Sequence, residues 1–379
     1  MLRYGMVGGG RGGFIGAVHR QAAALDGMAT LVAGALSSDP ERAVESGRDL
    51  GLPDDRNYES WRAMLAGELA RPEGDRIDFV SIVTPNDTHF EIARAFADAG
   101  FHVVLDKPMT LTSAEGDELA RLGDERGIVF CVTYTYVGYP MIREARRVVH
   151  SGELGEVRKV YVDFRQGWLS TALENEGNKQ AGWRTDPARA GAGALGDIGT
   201  HVEMLAGWIT GLEIESLCAE VSTFVEGRAG DDDVSVLLRF GGGARGVLNA
   251  SQVCAGEECA VTVRVFGTEG GVFWSHEDPQ RLTIMPRTGA TRIITRAGVV
   301  ASDDSNLATR IPSGHPEGFI EAMGNLYRGA MQAMIAKREG KNLIGLAADY
   351  PNVHDGARGV RFVERVLESG RADGAWVRV

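Results

Sequence analysis

Apolar residues in the first third of the chain fall into short runs separated by segments of helical spacing. Tyr4 to Val7, Ala29 to Leu36, Asp78 to Val83, His102 to Leu105 and Ile128 to Thr133 read as buried strands. Between them Ile15 to Leu25, Pro40 to Leu50, Tyr58 to Leu65, Asp87 to Ala99 and Ser113 to Arg126 read as helices. Pro40 sits in a first turn, and Thr112 or Ser113 serves as a cap. Strand and helix alternating at this spacing predict an α/β domain, a doubly wound parallel sheet with helices on both faces. Such sheets bind ligands at the carboxyl ends of their strands.

The pattern changes after Thr133. Gly138 to His150 reads as a helix and Val157 to Gln166 as a long alternating strand. Residues 167–196 are irregular, and an apolar helix follows from Val202 to Ile209. Period-two runs then dominate: Glu215 to Phe224, Val234 to Phe240, Arg245 to Val253 and Ala260 to Phe266, with further strand around Trp274, Leu282 and Ile293. Helices over Glu317 to Arg338 and Val353 to Ser369 close the chain, with a short strand near Trp376. The prediction is a first domain over 1–134 and a second α/β domain over 135–379, the latter a large open, mostly antiparallel sheet with helices on one face.

Composition narrows the classes. The chain has 379 residues, enough for two full cores, and its 44% hydrophobic and 24% charged content is that of a globular protein. A net charge of −12 with acids and bases interspersed argues against a nucleic-acid or anionic-membrane surface. Cys131, Cys218, Cys254 and Cys259 show no CxxC spacing and read as buried reduced thiols. The chain runs directly into its first strand, with no leader-like segment and no apolar run of spanning length, so cytoplasmic residence is expected. No tight His/Asp/Glu spacing recurs, so no metal is expected.

Polar clusters gather where a doubly wound sheet holds a nucleotide. Gly8-Gly-Gly-Arg-Gly-Gly-Phe-Ile-Gly16 follows the first strand and opens the first helix, where backbone N–H groups can receive a pyrophosphate. Gly8, Gly10 and Gly13 satisfy GxGxxG and place Phe14 and Ile15 at the helix start. Gly16 is the alternative third glycine, with Arg11 to Gly13 as an insertion. The second strand ends on Ser37 and Ser38 where an NAD-binding acid is usual, and Arg42 could reach a 2′-phosphate. NAD and NADP both stay open. Thr84-Pro85-Asn86 with His89, and Asp106-Lys107-Pro108, lie at two further strand ends. Pro108 restricts Lys107 to extended backbone and so limits where its amine points.

Asp197 and His201 stand four apart at the opening of a helix, after the glycine-rich Gly191 to Gly196. That spacing puts them one turn apart on one face. A carboxylate beside an imidazole orients the ring and favours its protonated form, a general-base arrangement; a capping Asp and a half-buried His is the bland alternative.

The ordered set Gly8 to Gly16, Thr84-Pro-Asn to His89, Asp106-Lys-Pro108 and Asp197 to His201 resembles the glucose–fructose oxidoreductase/inositol dehydrogenase/rhizopine catabolism (Gfo/Idh/MocA) family over essentially the whole chain. The resemblance implies a Rossmann domain and an open-sheet domain, paired through that sheet into a homodimer or homotetramer. It also implies hydride transfer between NAD(P) and a hydroxyl of a sugar, cyclitol or related polyol. The family's Glu-Lys-Pro appears as Asp106-Lys107-Pro108, and its Asp-x-x-x-His as Asp197 and His201. Two departures stand out: the glycine loop is longer, and the arginine often found after the sixth strand is missing from Val132-Thr-Tyr-Thr-Tyr-Val-Gly-Tyr139. Gln166-Gly-Trp168, Lys179 to Pro187 and Gly314 to Phe319 look like the branch acting on pyranoses, anhydrosugars and glycosides, for which C3 is one candidate position.

On this reading His201 is the base, Asp197 orients it, and Lys107 stabilises the alkoxide; the reverse assignment, with Lys107 as base, stays open. Tyr134, Tyr136, Gln166, Trp168, Trp183, Arg184 and His315 are the candidate sugar contacts, alongside Lys107, Asp197 and His201. His19, His102, His150, His276 and His354 read as structural or solvent-facing, and Asp231-Asp-Asp233 as a turn. The competing functions are an inositol or polyol dehydrogenase, redox-neutral hydrolysis or epimerisation with held cofactor, and a non-catalytic nucleotide-binding regulator.

Overall fold

The computed structural model describes residues 1–341 and 349–379. It divides into two compact units, Met1–Thr135 with Phe319–Ala357, and Tyr136–Gly318 with Arg358–Val379.

The first unit is built on a five-stranded parallel sheet of β1 (Leu2–Gly8), β2 (Ala29–Ala35), β3 (Phe79–Val83), β4 (His102–Leu105) and β5 (Phe130–Val132), in the order β2-β1-β3-β4-β5. β3 is buried at every position, as a central strand covered on both faces must be. Its one polar residue, Ser81, is satisfied by the hydroxyl of Tyr327 at 2.7 Å, which also lies 2.8 Å from Nδ1 of buried His19. Tyr327 belongs to the helix Phe319–Arg338, which packs on the helix Phe14–Ala24. Pro351 extends β5 by accepting the Val132 N–H at 2.9 Å. These bonds correct the expected division at 134/135: the chain returns to the nucleotide unit at Phe319, because that helix carries the polar atoms which the sheet and first helix need in order to be buried.

The second unit holds a nine-stranded sheet. Its strands are β6 (Val157–Arg165), β7 (Ile214–Ser222), β8 (Asp233–Phe240), β9 (Arg245–Ser251), β10 (Ala260–Gly267), β11 (Gly270–Ser275), β12 (Arg281–Pro286), β13 (Arg292–Thr295) and β14 (Val377–Arg378). The order is β13-β12-β11-β10-β6-β9-β8-β7-β14, antiparallel throughout except for the parallel pair β6–β9. Burial alternates along β8, with Val234, Val236, Leu238 and Phe240 inside and Ser235, Leu237 and Arg239 outside. The stretch read as irregular contains two short helices, Lys179–Arg184 and Pro187–Ala190, capped by Asn178 and Asp186. Among the described residues no helix is long and apolar enough to cross a membrane.

Candidate active site

In the first unit the glycine loop lies at the carboxyl end of β1, beside the carboxyl end of β3, where the strand order reverses direction. A Cβ on Gly8 would meet Thr84 Cγ2 at 2.9 Å, so the loop and the Thr84-Pro85 turn share one groove. Gly9, with φ of 72°, and Gly16 are packed so closely that a Cβ on either would run into the backbone of the other. Gly16 is therefore the glycine that lets helix and strand approach, while Gly13 is the helix N-cap and Arg11-Gly12 form an extra turn. That turn is tied down by Arg11, whose side chain pairs with Glu45 and Asp49 and whose N–H bonds Ser46 Oγ at 3.1 Å. A Cβ on Gly10 would fill space against Ser46 and the Leu36 carbonyl. The residues present thus form a glycine cradle in front of a helix N-terminus, which fits a pyrophosphate.

At the end of β2 the Ser37 hydroxyl accepts the Asp39 N–H at 3.1 Å, and Asp39 caps the next helix through the Arg42 N–H at 2.8 Å. Ser38 and Arg42 are exposed and Phe14 is 70% exposed. Asn86 is buried in the turn after β3. His89, expected on the cofactor, is fully buried, with Nε2 2.9 Å from the Thr84 carbonyl and Nδ1 2.9 Å from the Pro108 carbonyl. Both ring nitrogens face backbone carbonyls, and the neutral ring donates to one of them at a time, so His89 sits between the two strand-end turns rather than presenting a nitrogen to solvent. Burial holds its pKa below the ordinary imidazole value. Asp106 accepts the Lys107 N–H at 2.9 Å and the Thr133 hydroxyl at 3.1 Å. Lys107 is half-buried, and its peptide bond to Pro108 is cis.

In the second unit Asp197 and His201 lie on a continuous helical segment, but its opening is a π-turn, Leu195–Gly199, which passes into the α-helix Thr200–Thr210. Inserted π-turns are uncommon and frequent at functional sites. Asp197 is half-buried; its Oδ2 accepts from Gln252 Nε2 at 2.8 Å and lies 3.5 Å from Arg184 Nε. His201 is buried, with the Tyr136 ring edge-on at 4.9 Å and Phe164 at 6.1 Å. The Tyr136 hydroxyl is 3.3 Å from Cys259 Sγ, and burial pushes that hydroxyl's pKa well up. Trp168 Nε1 donates to Gln166 Oε1 at 3.2 Å, which also accepts from Gln252 at 3.3 Å. Arg184 stacks on Trp183, with its guanidinium carbon 4.3 Å from the ring centroid.

Gln166, Trp168, Arg184, Asp197, Tyr136 and His201 are thus drawn into linked contacts, while two expected sugar contacts are not. Tyr134 has no exposed surface and presents no face to a ligand. His315 is exposed on a loop anchored through its backbone carbonyl to buried Arg296. Sequence reasoning missed Gln252, which lies just past the end of β9 and reads there as one more polar position after Arg245, Asn249 and Ser251. It also misread Asp231 and Asp232. Asp231 is buried, and its carboxylate accepts the Gly193 and Leu195 N–H groups, each at 2.7 Å. Asp232 accepts from Phe224, Val225 and buried Arg228. The triplet read as a turn is thus the entry to β8, which Asp233 opens, and it fastens the backbone leading into Asp197.

Two family descriptions match the sequence. Residues 2–134 match an oxidoreductase family with an NAD-binding Rossmann fold, and residues 142–273 match the GFO/IDH/MocA C-terminal domain. An uncharacterised oxidoreductase of Bacillus subtilis, YfiI, is 34% identical over 99% of this chain and 96% of its own. The chain belongs to the Gfo/Idh/MocA oxidoreductase family. A Gfo/Idh/MocA-like structure, an inositol dehydrogenase homologue from Azotobacter vinelandii complexed with NADH and myo-inositol, is 37% identical with a TM-score of 0.92, covering 100% of this chain and 97% of that one. Levoglucosan dehydrogenase of Pseudarthrobacter phenanthrenivorans is 29% identical over 75% of this chain and 76% of its own. The first unit is accordingly a Gfo/Idh/MocA Rossmann unit, and the chain is an NAD-dependent oxidoreductase. Its long glycine loop is the Arg11-Gly12 turn, which leaves the Gly9–Gly16 approach intact.

Proposed function

We propose that this oxidoreductase oxidises a secondary hydroxyl of a cyclic polyol, a pyranose, anhydrosugar, glycoside or inositol ring, with C3 a candidate position on a pyranose. The observation that carries the reading is the Asp197 carboxylate, held by Gln252 at 2.8 Å and placed one turn before His201, itself buried against Tyr136. Bound NAD would supply the hydride acceptor. The chain must then remove the hydroxyl proton and stabilise the alkoxide. His201 takes the proton, imidazole being the side chain whose ordinary pKa lies nearest neutrality. Asp197 favours the imidazolium that results. Lys107 provides the cation for the alkoxide. The half-buried indoles of Trp168 and Trp183 supply flat faces for ring C–H groups, and Gln166 a polar contact. Gly8, Gly10 and the N-terminus at Phe14-Ile15 hold the pyrophosphate, Ser37 and Ser38 the ribose, and Thr84, Pro85 and Asn86 line the same groove. With no carboxylate ending β2 and Arg42 exposed, NADP is accepted as well as NAD.

A spectrophotometric screen pairing NAD and NADP with pyranoses, levoglucosan, glycosides and inositols tests the substrate class; cofactor reduction with one ring class is the expected result, and none across the panel would overturn it. Lys107→Ala and His201→Ala should each lower kcat by at least 100-fold while the cofactor Kd stays within about threefold. Near wild-type kcat in either variant would sink the assigned role.

A further inference from the structure

Gln252 belongs to neither the glycine cradle nor the Asp197–His201 pair, yet it joins Asp197 to Gln166 and, through it, to Trp168. It is 1% exposed and immobilised by its own backbone: its N–H donates to the Asp232 carbonyl at 2.9 Å, and its carbonyl accepts the Leu169 N–H at 3.1 Å. Its side-chain amide spans Asp197 Oδ2 at 2.8 Å and Gln166 Oε1 at 3.3 Å. The direction of every bond in this chain of groups follows from chemistry. The Trp168 indole N–H can only donate, so the atom 3.2 Å away must be the Gln166 oxygen. That oxygen can only accept, so the Gln252 side-chain atom 3.3 Å from it is the NH2, which also faces Asp197 Oδ2 at 2.8 Å. The same NH2 then supplies its second proton to Gln166. Arg184 Nε, 3.5 Å from the same Oδ2, sets a positive charge beside that oxygen.

With its polarity set at both ends, the chain has no place for a proton on Oδ2: a protonated oxygen would point its hydrogen at the Gln252 donor and the Arg184 charge. We infer that Gln252 is a positioning residue that holds Asp197 ionised and in one rotamer, and joins that carboxylate rigidly to the Gln166–Trp168 substrate contacts. The inference rests on the reading of Asp197 and His201 as the proton-handling pair. Arg184 and the neutral Gln252 amide face the Asp197 carboxylate, with Tyr136 near enough to feel its charge.

The test uses two variants and two readouts. Gln252→Leu removes the donor at similar volume. Gln252→Glu keeps shape but sets a second carboxyl against Oδ2, so the two must share a proton. Carboxyl resonances of ¹³C-aspartate-labelled full-length protein, with Asp197 assigned by its loss in Asp197→Asn, are followed against pH. The Asp197 apparent pKa should rise by about one unit in Gln252→Leu and by more in Gln252→Glu. With the ring substrate found in the screen, kcat should fall at least tenfold in both variants, with KM for NAD unchanged and the acid limb of the kcat/KM profile moved to higher pH in Gln252→Glu. A merely structural role would lower the yield and thermal midpoint without moving Asp197's titration. An unmoved Asp197 pKa in both variants overturns the inference, whatever the activity. If Asp197 moves as expected but Asp197→Asn and His201→Ala keep their turnover, the proton-handling reading fails instead, and the two failures are thereby told apart.

Discussion

Burial takes the His102 pKa down to about 4, with the Lys337 charge adding to the effect. Its Nδ1 accepts the Val129 N–H at 3.0 Å, a bond that requires that nitrogen to be unprotonated. The folded pKa is depressed below the unfolded value of 6.5, so the unfolded chain binds more protons between these limits. The stabilisation is therefore present above pH 6.5 and lost as pH falls toward 4. Between pH 7 and pH 5 the loss from this one group is about 2 kcal/mol. His102→Asn, which keeps an acceptor toward Val129, should flatten that part of the stability–pH curve in urea melts; an unchanged slope would refute the assignment. His102 read from the sequence as one of several structural histidines, and the structure supplies the reason it titrates so low. At this scale Asp197 and His201 were legible because their spacing is local, whereas Gln252 was not, because it reaches Asp197 from 55 residues away.

Elements were legible where burial is repetitive. β4 and the helix Ser113–Arg126 have their expected ends, the latter fixed by a capping box between Thr112 and Glu115. The two short helices after β6 were not legible, since neither is long enough to show a period. The π-turn was not legible either, because what opens the helix this way lies elsewhere in the chain. Asp231 grips the N–H groups of Gly193 and Leu195, and a Cβ on Gly193 would overlap the Asp231 carbonyl. Burial raises the Asp231 carboxyl pKa while those two donors oppose it. Asp231→Asn replaces one accepting oxygen with an NH2 facing an N–H. It should cost about 2 kcal/mol of stability by denaturant titration and lower kcat, with cofactor affinity unchanged. A stability within about 0.5 kcal/mol of wild type would show that the clamp is dispensable.

For the whole molecule, the expected assembly concerns the sheet of the second unit. On its solvent side Leu237 is 48% exposed on β8, and Lys159 and Arg264 lie over the Tyr161 and Phe273 rings. Exposed apolar residues with long cationic stems folded over aromatic faces suit burial against a second copy of the same sheet. A homodimer or homotetramer is expected by light scattering, and Leu237→Asp should shift it toward a smaller species. A wild-type monomer at micromolar concentration would rule this assembly out. The division into units was only half legible. The change of period near Thr133 marked the first crossing, but nothing local marks the return at Phe319, because a helix reads the same whichever core it packs into.

The sequence by itself determined the strands of both sheets, the glycine loop at the end of β1 and the Asp197–His201 pair, all features whose physical cause lies within a few neighbouring residues. Tertiary structure alone decided that His89 serves the backbone, that Tyr134 is enclosed, that Asp231 shapes the π-turn and that Gln252 meets Asp197. Each of those is a buried polar or aromatic group whose role is set by the partner that replaces water. Such partners come from distant parts of the chain, brought near only when the sheets form.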